Sequence, residues 1–357
     1  MSRLYNLDFL RAFAMLLGLA VHAPLIFYNP TILPEFGIYK TTTAEEWIWI
    51  MLIFITNWRM PLFFLLSGFF SVMILKKRGV QKFLSDRTIR IGGTGLVFCL
   101  LFDLMDGQLD YTLGHLWFLY YLLLFAFIFS FFQKSELIRN LLNQNMNTSK
   151  LLLLLLFLII TMPIASILNL DWNPDTLLAP PETLFELKPG NLFFYFSYFL
   201  SGVLLYSNQK FFIQLRKIKI LIPIIFLSMT AFLFQLIEST NPTAFHTLLR
   251  GINTLGWCLF FLGLSTRLVN SNSKILRWLI ELSYPIYLLH ILPIVIFSVE
   301  LYKAGYSQID IFILSIVFGF GVSVVLYYLL IKFTPLNWLI NGYRKSSFQL
   351  NFLFKKN

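Results

Sequence analysis

Long apolar runs alternate with short polar stretches along the whole chain, and their length decides what they are. Runs near 20 residues match the hydrocarbon thickness of a bilayer once wound into helices. The pattern predicts ten spans, at 9–28, 47–75, 91–105, 114–132, 150–169, 191–207, 220–238, 249–268, 279–299 and 309–331. The second is overlong and contains Pro61, which is expected to kink it. The third is short and carries Asp103 near its end. The expected fold class is therefore all-α, a polytopic transmembrane helix bundle. The first run follows Arg3 but is too long for a signal core, and no small-residue cleavage site follows His22, so it reads as a retained span.

Basic residues decide the orientation. The N-terminus, the loops after even-numbered spans and the C-terminal stretch hold 22 of the 28 Lys and Arg residues. The opposite loops hold Lys40, Lys188, Arg250 and Lys303, together with acidic residues such as Glu45, Glu46, Asp171 and Glu186. By the positive-inside rule both termini are expected to be cytoplasmic, which an even span count requires. Residues 1–335 read as one transmembrane domain and 336–357 as a basic cytoplasmic tail suited to an anionic leaflet. No internal repeat is evident, and Asn140 to Ser149 is a short polar loop.

Composition agrees with this picture: of 357 residues 58% are apolar and only 13% charged, with a mean hydropathy of +0.74. The net charge of +11 does not imply a nucleic-acid partner, because the cations sit in short clusters between apolar runs rather than on a basic face. Cys99 and Cys258 both fall in apolar runs without metal-ligand spacing and read as small buried hydrophobes.

Polar residues inside the spans are the candidates for chemistry, since an ionisable group at bilayer depth costs about 2.5 kcal/mol or more. In the first span Asp8, Arg11, Met15, Gly18 and His22 step by three and four positions and share one helical stripe. One reading is an interfacial Asp8–Arg11 pair with His22 at the far interface; the other is a functional site. Arg59 lies deep in the second span and calls for a partner or a function, whereas Ser67-Gly68 also suits a close helix contact. Lys76-Lys77-Arg78 reads as a topology signal. Arg87 and Arg90, three apart at a helix start, can present two guanidinium forks to a phosphate or pyrophosphate. His115 and Trp117, and Ser283, Tyr287 and His290 on one helical face, complete the set. Lone histidines on apolar helices are more often core residues, but three of only four here lie in or beside spans. No His-x-x-x-His pair, Walker loop or Gly-x-Ser-x-Gly elbow is present, and no metal is expected.

These residues resemble the acyltransferase-3 family of integral membrane O-acyltransferases. The resemblance rests on Leu-Asp-x-x-Arg with a histidine eleven residues on (Asp8, Arg11, His22), Arg-Met-x-x-Phe-Phe-x-x-Ser-Gly (Arg59 to Gly68), Arg-x-x-Arg (Arg87, Arg90), His-Leu-Trp-Phe-Leu (His115 to Leu119) and Ile-Tyr-Leu-x-His (Ile286 to His290), in the family's order. The second and fourth are most similar to the glucans biosynthesis protein C branch, as is the lack of an appended esterase-like domain. Gly92-Gly93 stand where relatives commonly carry a proline.

The resemblance implies a multi-pass protein of the bacterial inner membrane that moves an acyl group, succinyl in that branch, to sugar hydroxyls of periplasmic glucans. The expected donor is acyl-CoA from the cytoplasm, succinyl-CoA or acetyl-CoA, with no bound cofactor. Arg87 and Arg90 are expected to hold its phosphates, and His22 to act as general base or be itself acylated, with Arg11 and Asp8 on its face. His115, Tyr287 and His290 are expected to line the acceptor side or orient His22, Trp117 to stack on a sugar, and Arg59 and Ser67 to be further substrate-site residues. Membrane lipid, the acyl-CoA and a glycan acceptor are the expected partners. A proton-coupled secondary transporter is the competing class, disfavoured by the lack of repeats and of broken helices paired between two halves; a non-catalytic partner in an envelope complex is a third.

Overall fold

The computed structural model describes residues 4–39, 42–107, 109–133, 135, 147–168, 181–237, 244–269 and 273–342. Most of the polar loop after 135 and the basic stretch 343–357 lie outside the described residues. Among the described residues the secondary structure is helical apart from one antiparallel bridge, Thr112 to Thr183. The principal helices are α1 (Tyr5–His22), α2 (Glu46–Arg78), α3 (Val80–Arg87), α4 (Thr94–Asp106), α5 (Trp117–Phe132), α6 (Thr148–Leu168), α7 (Pro189–Tyr206), α8 (Ile218–Ile237), α9 (Ala244–Leu268), α10 (Lys274–Leu289), α11 (Ile291–Lys303) and α12 (Gln308–Leu326).

Among the described residues seven helical stretches are long and apolar enough to cross a membrane, or eight if the bent pair α10 and α11 is one span. The other two expected spans correspond to α1 and α7, each of 18 residues. Both carry more polar groups, among them Asn6, Asp8 and Arg11 in α1 and Asn191 in α7.

Several boundaries differ from the pattern's expectation. The first helix stops at His22 rather than 28, because Pro24 has no N–H to continue the ladder, and Leu25–Tyr28 restarts as a separate turn. The third span is not short: α3 and α4 are joined by a π-helical stretch, Thr88–Gly93, that contains the glycine pair. Helix α2 is assigned without a break through Pro61. The run at 279–299 is instead two helices bent by 64°. Pro293, three residues into α11, withholds the N–H that would reach Leu289 and crowds its carbonyl, so the helix breaks at His290.

The chain packs as two compact units: Met1–Arg11 with Asn57–Ser271, and Ala12–Thr56 with Asn272–Asn357. In the first, α9 packs on α8 and α6, and α6 on α7. Helices α2 and α7 approach so closely that a Cβ on Gly68 would lie 1.9 Å from the Phe199 carbonyl oxygen, and one on Gly202 1.8 Å from that of Leu65. Small residues permit such backbone contact where lipid removes any hydrophobic drive for association. In the second unit, α11 packs on α12. There the Ser298 hydroxyl lies 2.8 Å from Ser315 Oγ and 3.3 Å from the Ala23 carbonyl, tying both helices to the end of α1. Cys99 and Cys258 are both buried and free, as their apolar runs imply.

Replacing Gly202 by Val is expected to destabilise the first unit by about 3 kcal/mol or more through overpacking. Gly321→Ala, which meets nothing within 4 Å, is expected to be neutral. Thermal unfolding of the two variants in detergent checks both.

Candidate functional site

The guanidinium cluster belongs to the first unit and is built from α1, α2, α3 and the π-helical stretch. Arg11 pairs with Asp8 at 3.4 Å, one turn back on α1, and its guanidinium lies 5.0 Å over the Phe70 ring of α2. Arg87 sits 5.3 Å over Phe83 and within electrostatic reach of Arg90, Asp86, Arg11 and Arg78. Asp86 serves two cations, Arg78 at 3.8 Å and Arg90 at 3.6 Å. Among the described residues four guanidiniums gather about two carboxylates, Asp8 and Asp86, a concentration of positive charge suited to a phosphate-rich ligand. Arg87 closes α3 and Arg90 lies in the π-helical stretch, so the pair stands mid-helix and not at a helix start. Arg78 joins the cluster although the sequence reads it as a topology signal.

The imidazole pair belongs to the second unit. His22 ends α1, and His290 stands at the joint between α10 and α11; their ring centroids are 5.2 Å apart. His290 is fully buried, and its Nδ1 lies 2.7 Å from the Tyr287 carbonyl oxygen. A carbonyl only accepts, so Nδ1 carries the proton and Nε2 the lone pair. The Tyr287 ring lies beside His290 at 5.1 Å, tilted by 44°, and is itself buried. Ser283 spends its hydroxyl on the Ile280 carbonyl at 3.0 Å.

The remaining expected residues lie in the first unit. His115 occupies a 3₁₀ turn before α5, held in place from two sides. Asp103 of α4 accepts hydrogen bonds from the Tyr111 and Thr112 amides at 2.8 and 3.2 Å, and Leu113 donates to the Glu182 carbonyl. Trp117 is only 8% exposed and packs against Tyr195 at 5.2 Å, Tyr121 at 5.7 Å and Phe64 at 6.1 Å. Its ring is thus part of an aromatic core. Ser67 donates to the Phe63 carbonyl at 2.8 Å beside the close contact at Gly68.

A polar core that the sequence reading missed lies on α9. Arg250, assigned above to a loop, is inside that helix and 5% exposed. Its Nε donates to Asn57 Oδ1 at 2.9 Å; Asn57 Nδ2 donates to Gln235 Oε1 at 3.0 Å; and Asn253 Nδ2 donates to the same oxygen at 2.9 Å. His246, Arg250, Asn253 and Trp257 step by four, three and four, so the stripe was present in the sequence. Counting Arg250 with the loop, although the span begins at 249, and leaving His246 outside hid it. Arg59 is 5% exposed and, among the described residues, enters no ion pair.

Residues 4–328 match the family model described as an acyltransferase domain, acyltransferase-3. Among curated proteins, glucans biosynthesis protein C of Escherichia coli (strain K12) and that of Escherichia coli O1:K1 / APEC are each 36% identical over 93 residues, 26% of this chain and 22% of theirs. The chain is thus matched to about a fifth of the length of these relatives. No solved structure matches it. A family match over nearly the whole chain, on a bundle of membrane-capable helices, establishes that this protein belongs to the acyltransferase-3 family.

Proposed function

We propose that the protein is an O-acyltransferase of the bacterial inner membrane that moves an acyl group, succinyl or acetyl, from cytoplasmic acyl-CoA to a hydroxyl of a periplasmic or cell-envelope glycan. The observation that carries this reading is the His22–His290 pair, two imidazoles in ring contact with the tautomer of one set by a backbone carbonyl. A neutral imidazole with its orientation held is the usual general base for activating an alcohol.

In the proposed reaction His22 removes the proton of the acceptor hydroxyl as its oxygen attacks the thioester carbonyl. The tetrahedral oxyanion collapses, the C–S bond breaks, and the imidazolium returns the proton to the leaving thiolate, so that the products are ester and free CoA thiol. His290, protonated on the nitrogen that faces the Tyr287 carbonyl, sets its ring against the first-helix imidazole. Arg87, Arg90 and Arg78 hold the phosphates of CoA, and Arg11, steadied by Asp8 and Phe70, adds to the same positive field. The chain's similarity to glucans biosynthesis protein C supports a glycan as acceptor.

His22→Ala is expected to lower acyl transfer by about 10²–10⁴-fold while the protein still inserts. The assay is label transfer from succinyl- or acetyl-CoA to glycan in membranes of matched protein content; full activity in the variant removes the catalytic role. Arg87→Gln and Arg90→Gln are each expected to raise KM for acyl-CoA about tenfold, with kcat little changed, as loss of a charge-assisted phosphate contact predicts. Arg78→Gln follows the same direction with a smaller effect, since that side chain is more exposed. Initial rates over a series of acyl-CoA concentrations separate the two constants.

A further inference from the structure

The polar core of the first unit carries more hydrogen-bonding capacity than it uses. Arg59 buries its guanidinium, and neither Nε nor Nη1 has a hydrogen-bond partner among the described residues. An arginine stays protonated in a protein, so burial of this charge without a counter-ion is costly, by several kcal/mol as a rule. Two residues back on α2, Asn57 receives the Arg250 Nε–H and feeds the Gln235–Asn253 amide chain. The charges of Arg59 and Arg250 both act on one buried phenol, that of Tyr195. Asn253 Oδ1 and the Thr254 hydroxyl are likewise buried and without partners among the described residues. Buried donors and acceptors without a protein partner are positions that water or a bound group fills.

We propose that Arg59 forms a binding site for a carboxylate borne by a ligand, separate in residues from the Arg87–Arg90 cluster. The planar fork of a guanidinium matches a carboxylate in two parallel hydrogen bonds, and an anion there neutralises the buried charge. The carboxylate has two chemical sources: the free end of a dicarboxylic acyl group on the donor, or an acidic sugar on the acceptor. The donor source rests on the acyl-CoA reading above, and the acceptor source does not.

The experiment is equilibrium binding to the full-length protein in detergent, by calorimetry, with succinyl-CoA, acetyl-CoA, CoA, glucuronate and glucose as probes. Succinyl-CoA is expected to bind about tenfold tighter than acetyl-CoA, the worth of a charge-assisted contact. Arg59→Gln erases that preference and leaves CoA binding unchanged, whereas Arg59→Lys retains part of it. If glucuronate over glucose shows the Arg59-dependent preference instead, the carboxylate belongs to the acceptor and the site stands. Wild-type protein that prefers neither carboxylate overturns the proposal without recourse to any variant, as does a preference untouched by Arg59→Gln. Failure of every CoA ester to bind, with an Arg59-dependent preference for glucuronate, sinks the donor reading and not this site.

Discussion

An ionisable side chain inside an apolar helix must find its own solvent, and most of the polar detail of this protein answers that demand. Asp8 and Arg11 neutralise each other one turn apart, and Arg11 rests its cation on the Phe70 ring. Arg250 is solvated by an asparagine, itself held by a glutamine that also receives Asn253. His290 is fixed by a carbonyl of its own helix. Each arrangement replaces water with oriented protein dipoles, and each therefore sets the direction of a donor or a charge. The same requirement that keeps the fold stable thus preorganises its chemistry.

Irregular backbone supplies the positions. Proline at the third residue of α11 breaks a span and leaves His290 at the joint, where its ring meets that of His22. The π-helical stretch Thr88–Gly93 holds Arg90 within reach of Asp86 and carries the glycine pair on into α4. A π-segment shifts side chains round the helix axis relative to a regular ladder, and such segments recur where function is served. Two backbone faults, one in each compact unit, account for where the two groups of charged and imidazole side chains stand. Elsewhere the helices are regular and meet through glycine, as at Gly68 and Gly202, where rigid backbone contact leaves little room for adjustment.

Apolar run lengths and helical stepping made the architecture and much of the chemistry legible in the chain itself. A hydrocarbon layer of fixed thickness and the 3.6-residue turn are properties of solvent and backbone, so the all-α membrane class, the Asp8–Arg11–His22 stripe and the family motifs follow from order alone. What order could not decide was where helices break and which faces meet. The 64° bend at His290, the partnership of His22 with His290, the entry of Arg78 into the Arg87–Arg90 cluster and the burial of Arg250 beside Asn57 all join residues from separate elements. Such contacts depend on how close two backbones can come and on which polar groups water no longer reaches. Those quantities exist only once the helices are packed.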